Sequence, residues 1–557
     1  MKKYNFSVGR FLTGPIKKNN SIISEFSAWL SELDLPSAAF WITSAYADLV
    51  GASQRKAQSM YFTPPMLAAR MIEHATVSQL LGRIIDPACG GGALLVSAMM
   101  RVIEILEKRG KTSKEIVRHI EKNIHGFEID KFMSSLCSAV LLMSMARYVQ
   151  AANYIPKINI INRNGLSIKK KGEKFNLVIC NPPYRKMTAE ECGQYPQYKE
   201  VMAGQPNMYG LFMYEAIRRT SRKGAAILLT PMSYFSGRSF SKLRSKLSGE
   251  YGVSAIDIIN EKDGVFVKAE QDSAISVISC GAPYDATSLT VLNRVDQGVP
   301  LGRIRLPICG KPWFLPKQSG QSKFLRLFDL DLPRICDYGY RTINGAIVPH
   351  RDVRERFDRA QGSKDGQFVV PLIWSRDIGQ NGLLSNSFSG ERADSFIDMK
   401  LEGSRSILHG DLIAYQRVTS TEQPRRLVCA PVSPKLIRRF GGVTGENHVG
   451  FLQSVSKHAL VPPKIFASIL RTQVVDQVFR CIASATNVSA YELAWLPLPN
   501  FQLVERSLNS GLSLEDAVEI GYGLDYDQLV GTESSSTTVS GESGAVLIDK
   551  TLQSRAA

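Results

Sequence analysis

The chain has 557 residues, 44% of them hydrophobic, and a formal net charge of +17 at pH 7; that length supports about two to four domains, and the charge suits an acidic partner such as nucleic acid. Nine cysteines without a CxxC pair and seven histidines without ligand spacing argue against a disulfide framework and a zinc site. No apolar run reaches the length of a secretory signal or a membrane span, so a cytoplasmic protein with no membrane partner is expected.

Residues 1–55 carry apolar positions at helical spacing over 22–33 and 38–50 and read as a small helical cap. Tyr61-Phe62-Thr63-Pro64-Pro65 then leads into a helix. From Gly82 to Ala93 a short apolar strand ends in Asp86 and passes into a turn containing Gly90, Gly91 and Gly92, where the backbone can approach a nucleoside closely. The periodicity predicts a helix over 93–108, with Gly110 as its C-cap. A second strand near 123–127 ends in Glu128-Ile129-Asp130, which places a carboxylate to bridge two ribose hydroxyls. A third, over 157–161, leads into Asn164-Gly165-Leu166, where a polar side chain could read an adenine edge.

The run from Phe175 to Tyr184, FNLVICNPPY, reads as a buried strand that stops at an amide, two prolines and an aromatic ring. The prolines end the ladder and rigidify the loop. Asn181 and the Pro182 carbonyl then form a pair of fixed acceptors, with Tyr184 as a stacking surface beside them. Such a site suits an exocyclic amine on a planar base, whose two N–H groups need two acceptors and whose ring needs a face. Cys180, at the end of the apolar run, is expected to be a small core residue.

In this order the motifs resemble those of the N6-adenine DNA methyltransferases of the gamma class, similar to the methylases of type II restriction-modification systems. The resemblance covers the first half of the chain. It implies an α/β fold: a Rossmann-like catalytic domain that uses S-adenosylmethionine, and a mixed α+β target-recognition domain behind it. By the same resemblance Thr63, Asp86, Ala88, Gly90, Glu128, Ile129, Asn164 and Gly165 would hold the cofactor, and Asn181, Pro182, Pro183 and Tyr184 would form the catalytic loop. Tyr184 and Phe266 would be the walls against which a flipped-out adenine stacks, although a core role for Phe266 is equally compatible with its sequence position. The family usually has Asp where this chain has Asn164 and Asn176, and the uncharged amide at 164 implies weaker cofactor binding.

After the catalytic loop, a helix is expected over 209–219, a strand over 224–230, and a helix over 240–247 with Lys242, Arg244 and Lys246 exposed. A strand over 274–279 follows, and the catalytic domain is expected to span 56–285. Residues 286–500 are assigned to target recognition; there Arg341, Asn344, Arg417, Arg425 and Arg426 stand among aromatic and amide groups in a pattern that suits phosphates and base edges. Polar loops on a β-rich domain would give the same pattern. One amphipathic helix is expected over 466–482, and residues 501–557 form a C-terminal segment whose tail after about 530 has a disordered composition.

The function these features imply is site-specific transfer of a methyl group from S-adenosylmethionine to adenine N6 in duplex DNA. A cognate restriction endonuclease, where one exists, would be a separate chain, because no nuclease constellation is visible in this one. The alternatives are an RNA adenine methyltransferase, a protein glutamine methyltransferase, a cytosine N4 methyltransferase, and an inactive DNA-binding module. The large basic second half argues against the glutamine enzyme, and Asn181 against the N4 enzyme, whose family more often has Ser there. The intact loop and glycine turn argue against the inactive module.

Overall fold

In the computed structural model the described residues are 21–50, 62–167, 173–260, 272–281, 285–328, 330–358, 368–385, 393–399, 405–419, 423–456, 459–482 and 487–524. They divide into two compact units, residues 1–498 and 499–557.

The first unit is built on a sheet whose strands lie in the order β3-β2-β1-β4-β5-β7-β6-β8-β9. These are β1 Ile84–Asp86, β2 Ile124–Glu128, β3 Asn159–Asn162, β4 Phe175–Cys180, β5 Thr220–Pro231, β6 Gly252–Ile259, β7 Ser273–Ser279, β8 Thr287–Arg294 and β9 Gln297–Ile304. The first five run parallel, and β7 runs antiparallel between β5 and β6. Strand order reverses between β1 and β4, and in a doubly wound sheet that crevice receives the ligand.

Both faces of the sheet are covered, which is why its strands read as continuous apolar runs. Along β4, Leu177 and Ile179 enter the core beneath the helix Ala93–Lys108, whereas Val178 and Cys180 enter the core beneath Met208–Arg219. Cys180 is fully buried there. Burial of each large aliphatic chain contributes about 1.5–3 kcal/mol. Gly110, at φ +71°, follows the helix Ala93–Lys108 in the left-handed conformation its position demanded.

Three expectations are corrected. The sheet does not close at 285: β8 pairs in parallel with β6, and β9 pairs antiparallel with β8, so it continues to Ile304. Arg244 is not a solvated residue of its helix, Ser241–Gly249; it is 0% exposed, and its guanidinium donates to the carbonyls of Tyr234, Gly237, Gly310 and Lys311. The helix expected over 466–482 is two, Pro463–Leu470 and Gln473–Ile482. Between them the Thr472 hydroxyl accepts from Val475 N at 3.4 Å and starts the second as an N-cap does.

Beyond β9 lie β10 Tyr340–Asn344, β11 Arg356–Phe357, β12 Val369–Ile373, β13 Phe396–Asp398, β14 Leu412–Gln416, β15 Cys429–Pro431, β16 Thr444–Gly445 and β17 Val449–Ser454. They form two small sheets, β10-β17-β14-β15 and β11-β13-β12-β16, interspersed with short helices. Ahead of β1, residues 21–50 contain the helices Ser21–Glu32 and Leu35–Leu49. The second unit contains the helices Phe501–Asn509, capped by the Asn500 side chain, and Leu514–Tyr522. The tail after 530 lies outside the described residues.

Candidate active site

β1 delivers Asp86 to the crevice. Its carboxyl is 2% exposed and accepts from Ala88 N at 2.9 Å, closing the turn, and burial pushes its pKa up to about 8. The turn continues through Gly90 at φ +52° and Gly92 at φ +91°, values that only glycine adopts without strain. β2 delivers Glu128, whose two carboxylate oxygens accept from Gly90 N and Asp130 N, each at 2.8 Å. Glu128 thereby fixes the glycine turn as well as facing the crevice. Burial raises its pKa above the ordinary carboxylate value. Next to it Ile129 is 68% exposed, an apolar surface at the mouth of a polar site.

The loop after β3 packs directly on the turn after β1. A side chain at Gly165 would place its Cβ 2.1 Å from the Pro87 carbonyl oxygen, so only glycine permits this approach. Asn164 Oδ1 accepts from Leu166 N at 2.9 Å, and its Nδ2 donates to the Tyr195 hydroxyl at 3.0 Å. The other amide that stands where an Asp was expected, Asn176, accepts from Arg83 N at 3.0 Å and joins the starts of β4 and β1.

β4 delivers the loop Asn181 to Tyr184. Asn181 Nδ2 donates to Thr63 Oγ1 at 3.0 Å, joining this loop to the segment before the helix Pro65–Glu73. The Tyr184 hydroxyl lies 2.5 Å from Asn181 Oδ1 and 3.1 Å from the Leu229 carbonyl oxygen. Burial pushes this phenol well above its usual range, so at neutral pH it is a donor. The ring stands edge-on to Tyr209, with centroids 6.0 Å apart.

These elements enclose a cavity of about 450 Å³. Its walls bring together all the residues expected to hold the cofactor, Thr63, Asp86, Ala88, Gly90, Glu128, Ile129, Asn164 and Gly165, and add Asn181 and Pro183 from the loop expected to be catalytic. Pro182 is buried, and Tyr184 is half-buried against the core below Met208–Arg219. Phe266 lies outside the described residues. Phe62, Tyr195 and Phe212 also line the cavity. Phe62 belongs to the Tyr61–Pro65 segment, but Tyr195 and Phe212 follow the Asn181–Tyr184 loop by many residues with no signal of their own.

The residues expected to contact DNA do not form one set. Arg341 and Asn344 are exposed on β10, where Arg341 donates to Gln453 Oε1 at 2.7 Å. Arg417 is half-buried and donates to the Asn447 carbonyl at 2.6 Å, and Arg425 is half-buried. Arg426 corrects the expectation: it is 2% exposed, with its Nε on Thr419 Oγ1 at 3.0 Å and its backbone N–H on Asp476. A guanidinium enclosed in this way cannot reach a phosphate.

Residues 41–295 match the N-6 DNA Methylase family. The resemblance that the motifs carry, to N6-adenine DNA methyltransferases of restriction-modification type, therefore holds over the N-6 DNA methylase region of this chain. The chain is 22% identical over 367 residues to the Type II methyltransferase M.PstI of Providencia stuartii, covering 62% of this chain and 69% of that protein. It is 20% identical over 230 residues to the Type II methyltransferase M.VspI of a Vibrio species, covering 41% of this chain and 50% of that one. Against the methylase subunit of the type I restriction enzyme EcoEI of Escherichia coli it is 22% identical, covering 45% and 48%. The chain thus spans about half the length of two of these curated relatives. Among solved structures, the Type IIL restriction-modification enzyme MmeI in complex with DNA aligns with a TM-score of 0.48 and 13% identity, covering 90% of this chain and 75% of that one.

Proposed function

We propose that the chain is a site-specific DNA methyltransferase that modifies adenine N6 in duplex DNA with S-adenosylmethionine, as the modification enzyme of a restriction-modification or related defence system. One observation carries this reading: a single cavity is walled by the glycine turn and Glu128 on one side and by Asn181 and Pro183 on the other. A nucleoside-binding cradle and a loop suited to a planar amine thus open onto the same space.

The residues fit the proposed cofactor. The Glu128 carboxylate retains lone pairs beyond its two backbone bonds and suits a ribose diol. Exposed Ile129 suits a planar ring, and the glycine turn leaves room for the backbone to lie against the ligand. The cofactor supplies an already activated methyl group, so positioning matters more than acid or base catalysis.

The chain's part is to present the acceptor amine. Asn181 Oδ1 and the Pro182 carbonyl accept from its two N–H bonds, concentrating the nitrogen lone pair toward the methyl group. A base within a duplex cannot reach this depth, so it must leave the stack at a cost of a few kcal/mol. Tyr184 and Phe266 offset part of that cost as aromatic walls. Exposed groups such as Arg341 and Asn344, outside the N-6 DNA methylase region, hold the duplex. Mapping modified bases in DNA from cells that express the chain tests the proposal: N6-methyladenine at one recurring sequence supports it, and unmodified adenine contradicts it.

A further inference from the structure

The Asn164–Tyr195 pair contains a constraint on hydrogen direction. Leu166 N–H can only donate, so the atom of Asn164 that faces it at 2.9 Å must be Oδ1. Nδ2 therefore faces the Tyr195 hydroxyl at 3.0 Å, and since an amide nitrogen cannot accept, that hydroxyl must be the acceptor. Its own proton is then directed elsewhere. Among the described residues no other group takes it, and both Asn164 and Tyr195 line the cavity. The arrangement is anchored: Gln197 Nε2 donates to the Leu166 carbonyl at 3.2 Å, and the Tyr198 hydroxyl lies 3.2 Å from the same oxygen.

We infer that Tyr195 is a specificity-determining residue of the cofactor subsite, donating its hydroxyl proton to a ring nitrogen of the cofactor's adenine while Asn164 Oδ1 accepts from the neighbouring amino group. This rests on the cofactor proposed above. Adenine presents an amino donor flanked by acceptor nitrogens N1 and N7, and the pair offers the complementary acceptor and donor. The amide at 164 is what releases the Tyr195 proton toward the ligand. A carboxylate there would accept that proton itself and withdraw the donor. Asn164 is therefore coupled to Tyr195 as one recognition element, and the missing charge is exchanged for a second directional hydrogen bond.

The test uses the full chain and titration calorimetry with S-adenosylhomocysteine and its 1-deaza and 7-deaza analogues. Tyr195→Phe, with its melting temperature checked against wild type, should weaken S-adenosylhomocysteine binding about five- to tenfold, the worth of one neutral hydrogen bond. The same substitution should cost nothing with whichever analogue lacks the nitrogen that Tyr195 reads. In the Asn164→Asp background, Tyr195→Phe should no longer weaken S-adenosylhomocysteine binding, because the carboxylate already holds the proton. Equal affinity of wild type and Tyr195→Phe, or a Tyr195→Phe loss that persists with both analogues, overturns the inference while leaving the cofactor proposal intact. Wild-type protein that binds no S-adenosylhomocysteine overturns both.

Discussion

The Tyr184 hydroxyl lies 2.5 Å from Asn181 Oδ1, the atom proposed to accept from the target amine. A second acceptor, the Leu229 carbonyl, lies 3.1 Å from the same hydroxyl. One phenolic proton serves only one of them at a time, so an arriving amine can take one lone pair of Asn181 while Tyr184 turns its proton to Leu229. If the ring supplies the stacking surface and the hydroxyl only orients Asn181, Tyr184→Phe should keep methyl transfer within about tenfold of wild type, about 1.4 kcal/mol. Tyr184→Ala should lose substantially more. Single-turnover rates with the three proteins check this, and equal losses in both variants would contradict it.

Glu128 holds the glycine turn through Gly90 and Asp130 in addition to its proposed contact with the ribose. Glu128→Ala should weaken S-adenosylmethionine binding by about 1.5–3 kcal/mol, the range for hydrogen bonds to a charged group. Glu128→Gln, which keeps one carbonyl acceptor, should lose less. Calorimetry showing unchanged affinity in the alanine variant would remove Glu128 from the site.

Asp86 gives a pH-dependent prediction. Its folded pKa is raised to about 8 from an ordinary value of 3.8, so its proton is bound more tightly in the folded chain. The associated stability is fully present below the unfolded pKa and is lost as pH rises through the folded one. Asp86→Asn keeps an oxygen for the Ala88 N–H and cannot ionise. Its melting temperature should therefore rise relative to wild type as the buffer goes from about pH 5 to about pH 9. A difference that stays constant across that range would contradict the assignment.

Two arginines of the basic second half should separate cleanly. Arg426→Ala removes a buried guanidinium that donates to Thr419 Oγ1 and should cost about 1.5–3 kcal/mol of stability, the range for a hydrogen bond from a charged group. Arg341→Ala on exposed β10 should leave the melting temperature unchanged and lower the slope of log affinity for DNA against log salt by about 1. Thermal melts and salt-dependent DNA titrations distinguish the two, and the reverse pattern would show that the roles are exchanged.

The cavity was legible in the sequence because its parts are local. Asp86 with its glycine turn, Glu128 at the end of β2, and Asn181 after an apolar strand are each short segments whose chemistry is set by near neighbours. What the sequence did not show is set by distant ones. β8 and β9 join the sheet through pairing with β6, which no local pattern records. Arg244 and Arg426 look like solvated residues until carbonyls from 310–311 close over the first and the Thr419 hydroxyl takes the Nε of the second. Tyr195 acquires a role only because Leu166 fixes the direction of the Asn164 amide.

The central claim is that Asn181 presents an adenine amine to a methyl donor held across the same cavity. Mass spectrometry of nucleosides from duplex DNA incubated with S-adenosylmethionine and either wild-type or Asn181→Ala protein tests it most directly, with cofactor affinity measured on both. The account predicts N6-methyladenine with wild type, none with Asn181→Ala, and cofactor affinities within about tenfold of each other, about 1.4 kcal/mol. N6-methyladenine formed at the wild-type rate by Asn181→Ala, or a methyl group found on cytosine in place of adenine, would contradict it.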